Sequence, residues 1–168
     1  MADFSPFFRQ PGGLISLRAA AHPWLDRLAG GLSRLGVCRQ LLSAPDLWMR
    51  LGPDEWWCWW QDEARTADSV MQTIAQAADG HHHACVEISD AQVAFVSRDA
   101  AAPVLSFGCD LDFERLPGDF AGRTRLAAFQ VVLARQQAPQ GAMLLWTESS
   151  LAESLQTWLD RSVALARR

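Results

Sequence analysis

Two periods of apolar residues alternate along the chain, and together they predict most of its elements. Leu14 to Ala20 suits a short strand. Leu25, Leu28, Leu32 and Leu35 instead return at intervals of three and four residues and predict a helix over Trp24 to Leu35, weakened from inside by Gly30 and Gly31. Leu47 to Leu51 and Glu55 to Trp60 flank Gly52-Pro53-Asp54, in which proline fixes φ and aspartate favours the next position, so this segment predicts a hairpin. On its second strand Trp57 and Trp59 point to one face, and Trp56, Cys58 and Trp60 to the other. With both faces apolar, that strand belongs at the centre of a sheet or has its second face against another chain.

Asp62 is placed to cap a helix running to about Ala78, with Ala67, Val70, Met71, Ile74 and Ala78 as its apolar stripe and Gly80 at its C-terminal end. Ala84 to Ile88 and Gln92 to Ser97 predict two strands joined in a short hairpin at Ser89-Asp90. Asp99 to Phe107 predicts a second helix closed by Gly108. A loop through Pro117-Gly118 then leads to a strand at Leu126 to Arg135, which pairs with Gly141 to Thr147 across a connection carrying Pro139. The last helix is the most sharply marked. Ser150 is its cap, Glu153 completes an S-x-x-E box, Leu151, Leu155, Trp158, Leu159 and Val163 line one face, and Arg161, Arg167 and Arg168 suit its negative end. From Glu55 onward the order is strand, helix, two strands, helix, two strands, helix. This predicts an α+β fold with helices packed on a largely antiparallel sheet, containing ferredoxin-like βαββαβ elements.

Ala2 to Gly13 fits neither period. It mixes Phe4, Phe7 and Phe8 with Pro6 and Pro11, and is expected to be an aromatic arm over residues 1–13, ahead of a single domain over 14–168. Phenylalanines on an arm are costly in water. Phe7 and Phe8, with Trp56, Trp57, Trp59 and Trp60, are therefore the expected surface for a partner subunit.

Composition narrows the function. A chain of 168 residues, 49% of them hydrophobic, suits one domain; at that size roughly 70% of the unfolded surface is buried, so the core needs neither disulfides nor a metal. A net charge of -4 gives no electrostatic reason to bind nucleic acid or anionic lipid. All non-histidine basic residues are arginine, which removes Schiff-base catalysis by lysine. Met1 to Gly13 lacks the basic run and apolar core of a secretory leader, and no stretch reaches the roughly 18 apolar residues of a membrane span, so a cytoplasmic location is expected.

Several clusters invite a chemical reading. Cys38, Cys58, Cys85 and Cys109 form no C-x-x-C unit and are expected to be small buried apolar residues. On an extended segment His81, His83 and Cys85 point the same way, as metal ligands would. Structural metal sites draw ligands from two separated segments, however, and the one other histidine is His22, so no metal is expected. Asp110, Asp112 and Glu114 alternate with Leu111 and Phe113 and are expected to be a solvated face rather than a cation site or acid/base pair. Ser149 and Ser150 sit in a helix-cap context, not a nucleophile elbow, and neither Gly12-Gly13 nor Gly30-Gly31 has a phosphate-binding spacing. No catalytic residue is expected in this chain.

One resemblance runs in order from about Leu51 to Asp160. Leu51-Gly52-Pro53-Asp54-Glu55-Trp56 resembles the L-G-P-D-E-W signature of the sarcosine oxidase gamma subunit family. Glu87-Ile88-Ser89-Asp90 resembles the family's D-V-S-D hairpin, and Val104-Leu105 to Gly108-Cys109 with Asp110-Leu111-Asp112 resembles its V-L-x-x-G-C-x-x-D-L segment. Phe120, Gly122 and Thr124 through Leu133 are similar to the family's stretch around a threonine and the strand after it, and Leu155 to Leu159 is similar to its W-x-W-L-like final helix. Glu87 replaces the hairpin aspartate. Glu148-Ser149-Ser150-Leu151 stands where the family has an arginine before its last helix, so no role of that arginine carries over.

The resemblance implies a fold similar to a lobe of the glycine-cleavage T-protein, the folate-binding architecture. It also implies membership in a complex that oxidatively demethylates N-methyl amino acids. FAD, FMN, NAD and tetrahydrofolate would be held by other subunits, and the partners would be larger flavoprotein alpha and beta subunits and a small zinc-type delta subunit. This chain would be a non-catalytic packing subunit. The alternatives are a stand-alone folate-binding one-carbon transfer protein, a subunit of a related N-methylglutamate dehydrogenase, and, resting on the histidine run alone, a metal-binding accessory protein.

Overall fold

The computed structural model describes residues 7–97, 101–136 and 142–166. Phe4, Pro6, Asp99, Pro139, Gly141, Arg167 and Arg168, on which parts of the sequence reading fall, lie outside the described residues. The chain gathers into two compact units, Pro11–Ser89 and Met1–Gln10 with Asp90–Arg168. Each is built on a five-stranded sheet whose pairings are all antiparallel.

The unit from Pro11 to Ser89 contains strands β2 (Gly13–Arg18), β3 (Arg39–Ser43), β4 (Asp46–Arg50), β5 (Glu55–Trp60) and β6 (Ala84–Glu87), in the order β3-β4-β5-β2-β6. The tryptophan strand β5 is central, as two apolar faces require. Its hairpin with β4 pairs Arg50 with Trp56 across the Gly-Pro-Asp turn. Helix α1 (Ala67–Ala78) supplies Val70, Ile74, Ala77 and Ala78 to a core shared with Ile15, Leu17, Trp48, Trp56, Cys58 and Trp60.

Two expectations change in this unit. Thr66, not Asp62, caps α1 by accepting from the Ser69 amide, while Asp62 accepts from Ala64 in its own turn. Trp24 to Leu35 is not one helix. It divides into short 3-10 turns at Pro23–Arg27 and Leu32–Arg34, because Gly31 takes a φ of 89° and breaks the run. Asp26 then holds the two turns together, accepting from both the amide and the hydroxyl of Ser33 at 2.8 Å.

The other unit contains β1 (Phe7–Gln10), β7 (Gln92–Ser97), β8 (Ala121–Leu126), β9 (Phe129–Arg135) and β10 (Met143–Glu148), in the order β1-β7-β10-β9-β8, with helices α2 (Ala102–Leu105) and α3 (Ala152–Ala166). α3 lies against β1, β10 and α2 and buries Leu155, Leu159 and Val163. The expected pairing of β9 with β10 is present, and β8 is an additional strand that forms a hairpin with β9 around Ala127, whose φ is 53°.

The Ser89-Asp90 hairpin is not formed. β6 pairs with β2 in one sheet, whereas β7 pairs with β1 and β10 in the other, so the two residues join the two units instead. Part of the segment read as an arm, Phe7–Gln10, is the edge strand β1, with Phe7 buried opposite Ser97. Glu153, expected to close a capping box, forms an ion pair with Arg9. Among the described residues, no helix is long and apolar enough to cross a membrane.

Candidate functional site

The L-G-P-D-E-W segment is held by several side-chain and backbone bonds, and Arg50, the residue before it, organises it. Its guanidinium donates from Nη1 to the Leu35 carbonyl at 2.7 Å, from Nη2 to Pro53 at 2.8 Å and from Nε to Gly52 at 3.3 Å. The guanidinium carbon also lies 4.8 Å from the Trp56 ring centre, a cation–π distance. The amides of Leu51 and Gly52 both donate to the Glu55 carbonyl, closing the loop. The exit of β2 is tied to the same turn: Ala19 donates its amide to the Asp54 carbonyl, the Trp56 indole donates to the Ala19 carbonyl at 2.9 Å, and Arg18 pairs with Asp54 and Glu55. Each signature residue from Leu51 to Trp56 thus makes an intramolecular bond or packs in the core.

The expected partner surface is disposed differently from the sequence reading. Trp56, Trp57, Trp59 and Trp60 are 0%, 4%, 7% and 3% exposed in the single chain, and Phe7 is 2% exposed; Phe8 is half-buried. Trp57 stands between Ser16 and Met49, and Trp59 between Leu14 and Leu47, while Trp60 donates its indole N–H to the Arg65 carbonyl. All four tryptophans are thus buried within the single chain.

A second set of family-like positions converges in the other unit. Gly108 lies under Trp158 of α3 and accepts the Ala127 amide at 2.7 Å. The Cys109 thiol is 3.6 Å from the Thr124 hydroxyl, and Val104, Leu105 and Phe120 are buried. These residues hold α2, the β8–β9 turn and α3 together.

The acidic and serine candidates take part in local turn and backbone bonds. Asp112 accepts from the amides of Glu114 and Arg115 and pairs with the Arg115 side chain, the self-capping of an Asx turn. The Ser149 amide donates to the Ala91 carbonyl. Among the described residues, no group of three or more His, Cys, Asp or Glu side chains is placed to hold a metal ion. The structure does bring His22 to the histidine run, its ring centre 4.2 Å from that of His81.

Sequence reasoning missed one buried ion pair, Arg65 to Asp46 at 2.6 Å. Burial raises the Asp46 carboxyl above its ordinary 3.8 despite the attraction of Arg65. Burial, and then Asp46, push the Cys58 thiol well above 9.0, and burial pushes Cys85 up to about 11. Both are accordingly protonated, unreactive thiols near neutral pH.

No protein-family profile matches the chain, and no curated protein matches it in sequence. Solved structures do match in fold. A chain of the heterotetrameric sarcosine oxidase from Corynebacterium sp. U-96, solved in complex with pyrrole 2-carboxylate, superposes with a TM-score of 0.78 at 20% identity, over 96% of this chain and 85% of that one. The glycine cleavage system aminomethyltransferase T from Bartonella henselae superposes with a TM-score of 0.66 at 15% identity, over 91% of this chain but 44% of that one. The protein has an α+β fold, which it shares with a chain of a heterotetrameric sarcosine oxidase and with part of an aminomethyltransferase T.

Proposed function

We propose that this chain is a non-catalytic, gamma-like subunit of a heterotetrameric sarcosine oxidase-type complex, acting in the oxidative demethylation of N-methyl amino acids. One observation carries the proposal: the residues that resemble the gamma-subunit pattern, Leu51 to Trp56 in one unit and Gly108, Cys109, Thr124 and Trp158 in the other, are engaged in intramolecular bonds and packing. The likeness in fold to the Corynebacterium oxidase chain, extending over 96% of this chain, supports it. In this proposal FAD, FMN, NAD and tetrahydrofolate reside on other subunits. Larger alpha and beta flavoproteins and a small zinc-type delta subunit are the partners, and the complex is cytoplasmic. An N-methylglutamate dehydrogenase would use such a subunit in the same way.

Co-expression of the flavoprotein subunits with and without this chain tests the proposal. Omission should lower the yield and thermal stability of the assembled oxidase while leaving the flavin spectrum of the recovered subunits unchanged. Equal yield and stability in both cases would refute an assembly role.

The likeness to aminomethyltransferase T favours one second reading, a folate-binding one-carbon transfer protein. The chain spans 44% of that enzyme's length, so further residues would have to complete a closed folate pocket. Saturable tetrahydrofolate binding by the isolated chain would support this reading over the first.

A further inference from the structure

The histidines lie in the unit from Pro11 to Ser89, on two segments about sixty residues apart in sequence. His22 precedes the 3-10 turn at Pro23–Arg27, and His81 to His83 follow the end of α1, where Asp79 and Gly80 reverse the chain with φ of 46° and 82°. The reversal is fixed by His81 donating its amide to the Ala78 carbonyl. Arg27 joins the two segments by donating to the Ala77 carbonyl and pairing with Asp79. Against this frame the His22 and His81 rings sit with centres 4.2 Å apart, and the Trp24 and His83 rings 5.9 Å apart. His22 and His81 are both exposed.

We propose that His22 and His81 form a two-imidazole site for a late first-row divalent cation such as zinc, with water completing the coordination. Two nitrogens bound to one zinc at about 2.0–2.1 Å lie roughly 3.3 Å apart. The observed ring centres, 4.2 Å apart, keep the two imidazoles close enough to share one ion. The Trp24 amide approaches His22 Nδ1 at 3.4 Å, a long contact that a change of tautomer releases at little cost. The His83 Nδ1 hydrogen is directed to the His81 carbonyl at 2.9 Å, which fixes the backbone that carries His81. Imidazole is a borderline ligand that suits zinc, copper and nickel, so magnesium and calcium are excluded by chemistry. Metal at this position ties residues 22–27 to the end of α1.

Calorimetric titration of the full chain with zinc chloride, cross-checked with nickel chloride, is the test. One equivalent should bind. His22→Ala and His81→Ala should each weaken binding by more than the roughly 10–100-fold typical of losing an outer partner of a ligand, whereas His82→Ala should bind as the parent does. Circular dichroism establishes that each variant is folded, and His22→Gln replaces His22→Ala if it is not. Absence of binding, or undiminished binding in the folded His22 variant, would overturn the proposal; the second result would show that the histidine run alone captures adventitious metal.

Discussion

Gly108 is held so closely beneath Trp158 that a Cβ there would stand 2.7 Å from the indole Cζ2 and 2.9 Å from the Ala127 amide nitrogen. The amide is fixed by its own bond to the Gly108 carbonyl, so it cannot move aside without breaking the bond that ties the β8–β9 turn to Gly108. Gly108→Ala should therefore destabilise the chain by about 1–3 kcal/mol through overpacking. Gly118→Ala, whose Cβ meets nothing within 4 Å, should stay within about 0.5 kcal/mol of the parent. Urea unfolding of the two variants makes the comparison. Equal midpoints would mean that Trp158 does not press on Gly108.

Arg50 serves three carbonyls and one ring with a planar, five-donor head, a task lysine cannot reproduce. Arg50→Lys should cost about 1–3 kcal/mol and loosen the Leu51–Trp56 turn, visible as faster amide exchange at Leu51 and Gly52. A substitution without effect on either readout would deny Arg50 its organising role.

Trp48 and Trp56 are equally buried in the same core, at 1% and 0% exposure, yet their indole N–H groups differ. Trp56 donates to the Ala19 carbonyl, whereas the Trp48 N–H has no partner among the described residues. Trp56→Phe loses volume and leaves a carbonyl without its donor; Trp48→Phe loses volume but removes an unsatisfied donor. The first should be the more destabilising by about 1–2 kcal/mol, measured by thermal or urea unfolding.

Much of this was legible in the sequence where neighbouring residues decide the structure. The β4–β5 hairpin follows from Gly52-Pro53-Asp54 between apolar runs, and the buried faces of α1 and α3 follow from their spacing. The central position of β5 follows from its doubled tryptophans. Long-range choices were not legible. Ser89-Asp90 has the composition of a hairpin turn, but β6 and β7 find partners in different sheets. β8 was missed because Arg123 and Arg125 give an edge strand the look of a loop, and β1 because Phe-Phe-Arg-Gln is too short to show a period. Arg50 could have been noticed as the cation abutting the signature. Nothing local signals that Asp46 meets Arg65.

That buried pair has a pH dependence whose sign tests which force dominates. Burial raises the Asp46 carboxyl above 3.8 in the folded chain, outweighing Arg65. The folded protein thus binds this proton before the unfolded chain does, and ionisation of Asp46 costs stability above its folded value. As pH falls from neutral toward 3.8, the parent should gain stability relative to Asp46→Asn, the gain levelling off below that point. A parent that instead loses ground to Asp46→Asn on acidification would show that the attraction of Arg65 prevails over desolvation.

The proposed role of this chain is that of a packing subunit of an amine-oxidising flavoprotein complex. Its most direct test is capture of the tagged, full-length chain from its own organism, with mass spectrometry of the co-purifying proteins and an absorption spectrum of the eluate. The account predicts yellow material in which large flavoprotein subunits accompany this chain in fixed stoichiometry. A colourless eluate containing this chain alone would contradict it.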